Sequence, residues 1–296
     1  MTGRRSGRIR RLQRELLGWG ERTRRDLPWR RTRDPWAVLV SEVMLQQTQV
    51  ARVLPRYESF LRHFPDPVAC AAADRAAVVR AWEGLGYNRR AVNLHRSAEV
   101  IVYRHAGEVP DDLDDLLALP GVGACTARAV LAFAFERDHG VIDTNAARLL
   151  ARAVAGSPLS PSTARALADD LVPSGLGWAW NQAVLDLGAA ICTKRSPQCG
   201  ACPIVSACAW ALAGCPDPDP IEASAFVSAA QSTFLGSDRQ GRGRLVQALR
   251  SGPVDGTSLT EVTGWLDDPR RARRVADGLV DDGLATYVDG VLVLPC

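Results

Sequence analysis

The stretch Leu119-Pro120-Gly121-Val122-Gly123 joins two segments with helical periodicity, residues 112–119 and 126–135. Glycine at two of its positions lets the backbone turn tightly and approach another chain closely. The N-terminus of the following helix carries free N–H groups, which bind anions such as phosphate. The stretch therefore predicts two helices joined by a tight turn, which is either purely structural or a contact for a DNA phosphate.

Short helices are predicted for most of the remaining chain. In residues 34–50, Asp34 supplies an N-cap, Pro35 takes the first helical position, and apolar residues follow at helical spacing. Alternating strands are missing until Asp289-Gly290, which separates two apolar runs as a hairpin turn does. The pattern predicts an all-α protein with a small winged-helix-like module at its C-terminus. The other predicted helices are residues 72–82, 91–103, 144–155, 161–171, 180–191, 243–250, 258–266 and 269–281.

Composition excludes several classes of protein. Of the 296 residues, 47% are hydrophobic and 23% are charged, which is a globular balance rather than a disordered one. No stretch approaches the roughly 20 apolar residues of a membrane helix, and the N-terminus lacks the apolar run of a signal peptide. We therefore expect a soluble, intracellular protein with no membrane partner.

The basic residues are concentrated at the N-terminus. Residues 1–33 contain 12 Arg against Glu15, Glu21 and Asp26, a net charge of about +9. Lys194 is the only lysine of the chain, and a GC-rich genome would explain this preference for arginine without explaining the clustering. The cluster favours a polyanionic partner such as nucleic acid.

Four of the eight cysteines lie close together in the sequence: Cys192, Cys199, Cys202 and Cys208. Structural zinc commonly uses two Cys-x-x-Cys pairs separated by a longer loop, and only one such pair is present here. A compact run of four thiolates is typical of an iron–sulfur cluster, and disulfides are rare inside cells. The spacing favours a [4Fe–4S] cluster, with zinc and the absence of a metal as alternatives. The remaining cysteines, Cys70, Cys125, Cys215 and Cys296, are not clustered in the sequence.

Two acidic residues stand among apolar neighbours. Asp143 follows Val141-Ile142, so it is a helix N-cap, a pocket carboxylate, or both. Glu42 lies in an apolar helix, where it either faces solvent or is a carboxyl group with a raised pKa. A raised pKa would let Glu42 carry a proton at neutral pH, as a general acid requires.

Together these motifs resemble the helix–hairpin–helix DNA glycosylases that carry an iron–sulfur cluster, and among them the MutY-type adenine glycosylases. The resemblance implies a six-helix barrel over residues 31–140 and an iron–sulfur domain formed by residues 1–30 and 141–215, with DNA across the cleft between them. A linker (216–235) and the winged-helix-like module (236–296) follow. The matching stretches are Leu27–Arg30, Ser41–Gln49, Trp82–Tyr87, Leu119–Gly123 and Asn181–Cys192.

The resemblance implies a monofunctional enzyme of base excision repair that removes adenine mispaired with 8-oxoguanine or guanine from double-stranded DNA. Relatives with lyase activity place a Schiff-base lysine two residues after the hairpin, where this chain has Cys125. A thiol cannot take the role of that amine, so we expect hydrolysis by water and an abasic product. We also expect one [4Fe–4S] cluster, a monomer, and a cytoplasmic location at the nucleoid.

The roles implied by the resemblance centre on two carboxylates. Glu42 would donate a proton to N7 of adenine and help to position water. Asp143, supported by Asn145, would stay ionised and stabilise the cationic sugar. Of the other residues, Trp29, Arg30, Leu45 and Asp186 would line the adenine pocket; Gln47, with Thr48 nearby, would intercalate; Leu85 and Tyr87 would lie beside the opposite base; Gly121, Val122, Gly123 and Cys125 would meet DNA; and Arg89 and Arg90 would contact phosphate or face solvent.

The C-terminus departs from the resemblance. MutY-type proteins usually end in a larger α/β domain that reads 8-oxoguanine, whereas residues 236–296 contain 8 Arg against 9 acidic residues and read as a winged helix. We expect this module to contact DNA, a partner protein or the catalytic domain. One alternative for the chain is a glycosylase for thymine or uracil opposite guanine, against which Glu42 argues because N7 belongs to purines. The other is a non-catalytic iron–sulfur DNA-binding regulator.

Overall fold

A computed structural model describes residues 2–224, 226 and 233–295, with side chains from Ser6 onward. Residues 225 and 227–232, which belong to the predicted linker 216–235, lie outside the described residues, as do Met1 and Cys296. The described part is mostly helical, which confirms the predicted all-α class. None of its helices is long and apolar enough to cross a membrane.

The described residues form fifteen α-helices and one small sheet. The strands are β1 (Val254–Asp255), β2 (Thr286–Val288) and β3 (Val291–Val293). The helices are α1 (Thr2–Thr23), α2 (Pro35–Leu45), α3 (Val50–His63), α4 (Pro67–Ala71), α5 (Arg75–Ala81), α6 (Arg89–Arg104), α7 (Leu113–Leu117), α8 (Ala124–Phe133), α9 (Thr144–Leu149), α10 (Pro161–Asp170), α11 (Gly177–Ala190), α12 (Ala209–Leu212), α13 (Asp238–Ser251), α14 (Leu259–Thr263) and α15 (Pro269–Asp281).

Helix α2 begins where the sequence predicts and ends earlier. The Asp34 carboxylate accepts the Ala37 N–H at 2.6 Å, and Pro35 occupies the first turn, where its missing N–H is not needed. The helix ends at Leu45 because Gln47 has a φ of 54°, which a right-handed helix does not accommodate. The break leaves an exposed polar turn at the end of a buried helix.

The chain divides into two compact units, each built from two segments. The first unit comprises residues 1–33 and 124–230, and the second comprises residues 34–123 and 231–296. Two differences from the predicted boundaries concern whole elements. Helix α8 belongs to the first unit, where it packs against α11, and the C-terminal module belongs to the second unit instead of standing alone.

The core of the first unit includes the packing of α1 against α11 and α11 against α9. Helix α1 is not among the helices predicted from the sequence, because Arg residues surround its apolar stripe of Ile9, Leu12 and Leu16. Gly20 lets α1 approach α11 closely, since a Cβ at this position would lie 2.7 Å from the Cβ of Ala183.

A π-helical segment, Leu150–Ala155, continues α9 and ends at Gly156, whose φ is 66°. Arg8 of α1 donates hydrogen bonds of 2.8–2.9 Å to the carbonyls of Ala153 and Val154 at the end of this segment. The same guanidinium donates to the carbonyl of Ala207 at 2.8 Å. Arg8 therefore ties α1 to the loop that contains the clustered cysteines.

The second unit contains α2–α7 and the C-terminal module. In the module α13, α14 and α15 pack on one another, and β3 pairs antiparallel with both β1 and β2. This order of helices and strands is the predicted winged-helix arrangement; β1, with only two residues, was too short to predict. Gly241 is needed in α13 because a Cβ there would lie 2.2 Å from the ring of Trp265.

The module is attached to α5 and α6 of its own unit. The Nε of Arg250 donates to the carbonyl of Val79 at 3.1 Å, and its Nη2 donates to Oδ1 of Asn88 at 2.9 Å. Asp282 at the end of α15 pairs with Arg89 at 3.3 Å. The module was expected to contact DNA, a partner protein or the catalytic domain. The structure shows that it contacts α5 and α6 of the catalytic region.

Candidate functional site

Asp143 is the N-cap of α9, as one of the two sequence interpretations predicts. Its carboxylate accepts the backbone N–H groups of Asn145 at 2.8 Å and Ala146 at 2.7 Å, and the Nδ2 of Asn145 at 3.0 Å. Burial nevertheless raises the pKa of Asp143 above its ordinary value, against these hydrogen bonds and the charge of Arg148. A carboxyl group perturbed in this way is a candidate for a functional role.

Arg148 connects the surroundings of Asp143 to the cysteine-rich loop. Its Nη2 donates to Oδ1 of Asn145 at 2.8 Å and to the carbonyl of Gly188 at 2.5 Å. Its Nε donates to the carbonyl of Cys192 at 2.5 Å. One guanidinium therefore holds both the amide that supports Asp143 and the backbone of the first clustered cysteine.

The four clustered cysteines share one cavity. Burial raises the pKa of the Cys202 thiol to about 11 and raises that of Cys208, so cations would have to compensate thiolates here. Within the described residues, no group of three or more His, Cys, Asp or Glu side chains is arranged to hold a metal ion. The cavity is lined by Cys192, Cys199, Cys202 and Cys208 together with apolar side chains that include Ile191, Ile204 and Val205.

Arg152 also lines this cavity and is only 2% exposed. Its Nη1 donates to the Sγ of Cys192 at 3.5 Å and to the carbonyl of Thr193 at 2.8 Å. Asp219 pairs with its Nη2 at 2.5 Å, and its guanidinium stacks 5.0 Å from the centre of the Trp210 ring. A buried cation thus lies beside the thiols and fixes the loop that carries them.

Sequence reasoning missed Arg148, Arg152 and Cys215. Arg148 and Arg152 follow Asp143 on the same helical stretch and are four residues apart, so they lie on one face of it. This spacing is the signal that the sequence contained. Cys215 lies beside Cys199, where it adds to burial in raising the pKa of the Cys199 thiol. The sequence placed Cys215 outside the cluster, and its spacing carried no sign of this proximity.

Three of the residues predicted to line the adenine pocket lie together in the first unit. Arg30 donates to both carboxylate oxygens of Asp186, at 2.7 and 2.9 Å, and Arg25 donates to the same carboxylate at 2.7 Å. Although burial acts to raise it, these arginines hold the pKa of Asp186 below its ordinary value. Trp29, which is 7% exposed, precedes Arg30 in a 3₁₀ turn that this ion pair fastens to α11.

Glu42 lies on α2 in the second unit and is the only charged residue of that helix. Its side chain is half-buried, while the neighbouring residues from Trp36 to Met44 are buried. Leu45, the fourth residue predicted to line the adenine pocket, ends the helix and is half-buried. Glu42 therefore lies on a mostly buried helix, and its role as a general acid stays a prediction.

Gln47 and Tyr87 are exposed residues with positive φ angles of 54° and 46°. This conformation is strained for residues other than glycine and is common at functional sites. The hydroxyl of Thr48 donates to the carbonyl of Leu85 at 3.2 Å and so joins the two turns. Tyr87 is 43% exposed, whereas the Leu85 side chain is 1% exposed and packs in the core.

The prediction that Arg90 contacts phosphate or faces solvent is wrong. Its side chain is buried, and its guanidinium donates to the carbonyls of Val43 (2.7 Å), Met44 (2.8 Å) and Gly86 (3.0 Å) and to the hydroxyl of Thr48 (2.8 Å). Burial lowers the pKa of Arg90 to about 10. Arg90 therefore satisfies carbonyls at the end of α2 and fastens the turn that contains Gln47 to the turn that contains Tyr87.

The predicted turn of Leu119–Gly123 is present. Gly121 has a φ of 76°, and a Cβ there would lie 2.7 Å from Asn93, so another residue would be both strained and crowded. Its carbonyl accepts the side-chain N–H of Gln46 at 3.2 Å. Val122 is buried, a Cβ at Gly123 would meet open space, and Cys125 in the first turn of α8 is exposed.

Comparison with known proteins gives one family match and several close relatives. Residues 40–174 match the family described as "HhH-GPD superfamily base excision DNA repair protein". The adenine DNA glycosylase of Mycolicibacterium smegmatis is 44% identical over 274 residues, which cover 91% of each chain. That of Mycobacterium tuberculosis is 44% identical over 289 residues, 95% of this chain and 92% of the relative.

Solved structures show the same fold over most of the chain. A thermostable thymine-DNA glycosylase superposes with a TM-score of 0.65 at 27% identity and covers 70% of this chain and 98% of its own. A trapped covalent intermediate of endonuclease III with DNA superposes with a TM-score of 0.62, covering 70% of this chain and 97% of its own. At 23% identity, the second likeness concerns the fold alone.

Proposed function

Because this chain belongs to the HhH-GPD superfamily of base excision DNA repair proteins, and within it to the adenine DNA glycosylases, we propose that it hydrolyses the N-glycosidic bond of adenine mispaired with 8-oxoguanine or guanine. The observation that carries the proposed chemistry is Asp143, a carboxylate held by three hydrogen bonds while burial raises its pKa. The target base must leave the stack, since its glycosidic bond cannot be reached inside a duplex.

Glu42 is the proposed general acid. Adenine is a poor leaving group until a ring nitrogen is protonated, and N7 is the nitrogen that the proposal assigns to Glu42. Its position as the only charged residue of α2, a helix whose residues from Trp36 to Met44 are otherwise buried, supports the role. After departure of the base, the same group helps to position water.

Asp143 is the proposed partner of the cationic sugar. An ionised carboxylate near the sugar stabilises the positive charge that develops as the bond breaks. Two backbone N–H groups and the Asn145 amide hold the carboxylate in one orientation, so no reorganisation is needed during the reaction. Because burial raises its pKa, Asp143 takes up a proton at a higher pH than an exposed aspartate does. We expect activity to fall as the pH decreases and Asp143 becomes protonated.

Hydrolysis without a lyase step follows from the side chains near the hairpin. A lyase needs an amine that forms a Schiff base with the sugar. The position two residues after Gly123 is Cys125, and the single lysine, Lys194, belongs to the cysteine-rich loop. The proposed product is therefore an abasic site in an unbroken strand.

One [4Fe–4S] cluster is the proposed occupant of the cysteine cavity. Its four thiolates would come from Cys192, Cys199, Cys202 and Cys208, and Arg152 would offset part of the negative charge. The four thiols line one shared cavity, and four thiolates are what a [4Fe–4S] cluster requires. The cluster would serve as a structural core for the loop, whose exposed Lys194 and Arg195 would meet the DNA backbone.

Excision by single turnover tests the proposal. Labelled duplexes would carry adenine opposite 8-oxoguanine, adenine opposite guanine, thymine opposite guanine and uracil opposite guanine, each with and without hot alkali. We expect loss of adenine, with strand breaks only after alkali. We also propose that the enzyme acts as a monomer on double-stranded DNA. Loss of thymine or uracil without loss of adenine would refute it.

The two carboxylates are tested by Glu42→Gln and Asp143→Asn. Each substitution keeps the size of the side chain but replaces one acceptor oxygen of the carboxylate with an NH2 donor, which removes its proton chemistry or charge. We expect excision to be abolished and duplex binding to be retained. Wild-type excision by either variant would exclude the role proposed for that residue.

A further inference from the structure

A cleft of about 800 Å³ lies within the second unit. One side is formed by Gln46–Gln49 and Leu85–Asn88, the turns that carry the strained Gln47 and Tyr87. The other side belongs to the C-terminal module and includes residues of α13 and the end of α15. The volume lies within the range of roughly 300–1,000 Å³ typical of ligand sites.

The charge of the cleft is positive. Five arginines line it against one acidic residue, Asp282. Asp282 is already paired with Arg89 and Arg242, and Arg90 is bound to backbone carbonyls. The excess of guanidinium groups matches a phosphate backbone, which attracts arginine and lysine irrespective of sequence. The five arginines are Arg52, Arg89, Arg90, Arg239 and Arg242.

Phe234 lines the same cleft from the module side and is 55% exposed. Its turn is held in place: the Ser237 hydroxyl donates to the Phe234 carbonyl at 2.6 Å, and the Gly236 N–H donates to Oε1 of Gln240 at 2.8 Å. The Arg239 guanidinium lies 6.0 Å from the ring centre. An exposed aromatic ring on a fixed turn, next to arginines, is the arrangement that binds an unpaired base by stacking.

The module side of the cleft is fixed relative to Tyr87. Arg250 of α13 donates to the side chain of Asn88, the residue that follows Tyr87, and Gln247 donates to Glu83 at 2.9 Å. Tyr87 itself is 43% exposed towards solvent. Two exposed aromatic side chains therefore line one cleft whose two sides are joined by hydrogen bonds.

We propose that this cleft binds a nucleotide of the strand opposite the excised adenine, with Phe234 stacking on its base and Arg239 contacting its phosphate. The inference rests on the proposed function, because it assigns the C-terminal module to the strand that pairs with the substrate base. It makes Phe234, at the end of the predicted linker, a specificity-determining contact beside a module whose sequence showed no excess of basic residues.

Binding by the full-length protein tests the assignment. One duplex carries an abasic-site analogue opposite 2-aminopurine, whose fluorescence is quenched by stacking, and a second duplex is fully paired. Phe234→Ala is compared with Leu266→Ala, which removes an exposed apolar side chain that belongs to the module and does not line the cleft. We expect Phe234→Ala to weaken binding of the first duplex by about tenfold or more and to restore fluorescence, with little effect on the paired duplex.

Three results would overturn the assignment: equal effects of the two variants, unchanged fluorescence with Phe234→Ala, or equal weakening of both duplexes. Arg239→Gln adds an independent measurement, since losing one phosphate contact lowers the slope of log affinity against log salt by about one. Release of adenine by the wild-type protein is followed in parallel. Its absence would refute the proposed function, whereas intact release with unchanged binding by Phe234→Ala would refute only this inference.

Discussion

Replacing Asn145 with alanine should change the pH dependence of excision. The Asn145 side chain donates to Oδ2 of Asp143 at 3.0 Å, and the carboxylate keeps its two backbone donors in the variant. A hydrogen bond to a charged group contributes about 1.5–3 kcal/mol. We take the lower end, about 1.5 kcal/mol, because two donors remain, and this corresponds to about one pKa unit.

The direction of the change follows from the protonation state that catalysis needs. Asp143 acts when ionised, so activity is lost as the pH falls through its pKa. Burial has already raised this pKa, and loss of the Asn145 donor raises it further. We therefore expect the acid limb of the single-turnover rate to move up by about one pH unit. The lost orientation should also lower the plateau rate by about tenfold.

The measurement is adenine release under single-turnover conditions from acidic to mildly alkaline pH. Ser160→Ala is the matched control, because it removes a cap hydrogen bond of 3.2 Å to Thr163 N–H in the same unit and should cost about 1 kcal/mol of stability without moving the acid limb. An acid limb that stays in place in Asn145→Ala, or that moves equally in Ser160→Ala, would refute the reasoning.

Three further predictions concern the cluster, the strained turns and the helix packing. Cys199→Ala should lose iron and visible absorbance, whereas Cys215→Ala, which removes the neighbouring thiol, should retain both; equal iron contents would contradict the proposed ligands. Arg90→Met should lower the free energy of unfolding in urea by about 3 kcal/mol because it leaves buried carbonyls without donors. Arg90→Lys should recover only part of the lost free energy of unfolding, since an ammonium group cannot reach all of these carbonyls. Full recovery would contradict the reasoning. Gly20→Ala should destabilise by about 1–3 kcal/mol through overpacking, while Gly18→Ala on the same helix, with only a flexible arginine end 3.6 Å away, should be neutral or stabilising; the same sign of change for both would contradict the packing argument.

Local signals in the sequence predicted much of the fold. The caps of α2 and α9 could be predicted because Asp34 and Asp143 act on backbone groups two or three residues away. The winged-helix order could be predicted because Asp289-Gly290 is a strong hairpin signal. Helix α1 was missed because its apolar stripe is surrounded by arginines, and the boundary near α8 was missed because packing against α11 depends on contacts distant in sequence.

The surroundings of the candidate site could be predicted only in part. The spacing of the cysteines indicated a shared site, but nothing in the spacing placed Cys215 beside Cys199. Arg90 was misassigned because its partners are backbone carbonyls, which every residue carries and no sequence pattern marks. The partners of Arg148 are three carbonyls and one amide oxygen, so apart from its four-residue spacing from Arg152 nothing in the sequence indicated its role.

Each unit of this protein is assembled from segments that the ribosome produces far apart in time. Residues 34–123 emerge between the two parts of the first unit, and the second unit is completed only by the last residues, where Ala76 donates to the carbonyl of Pro295 at 2.9 Å. Closing such long loops delays folding. Neither unit can therefore finish folding during early synthesis, and a truncation after residue 230 would leave α5 and α6 without the helices that cover them. Experiments on isolated pieces should start from permuted or co-expressed segments rather than from simple truncations.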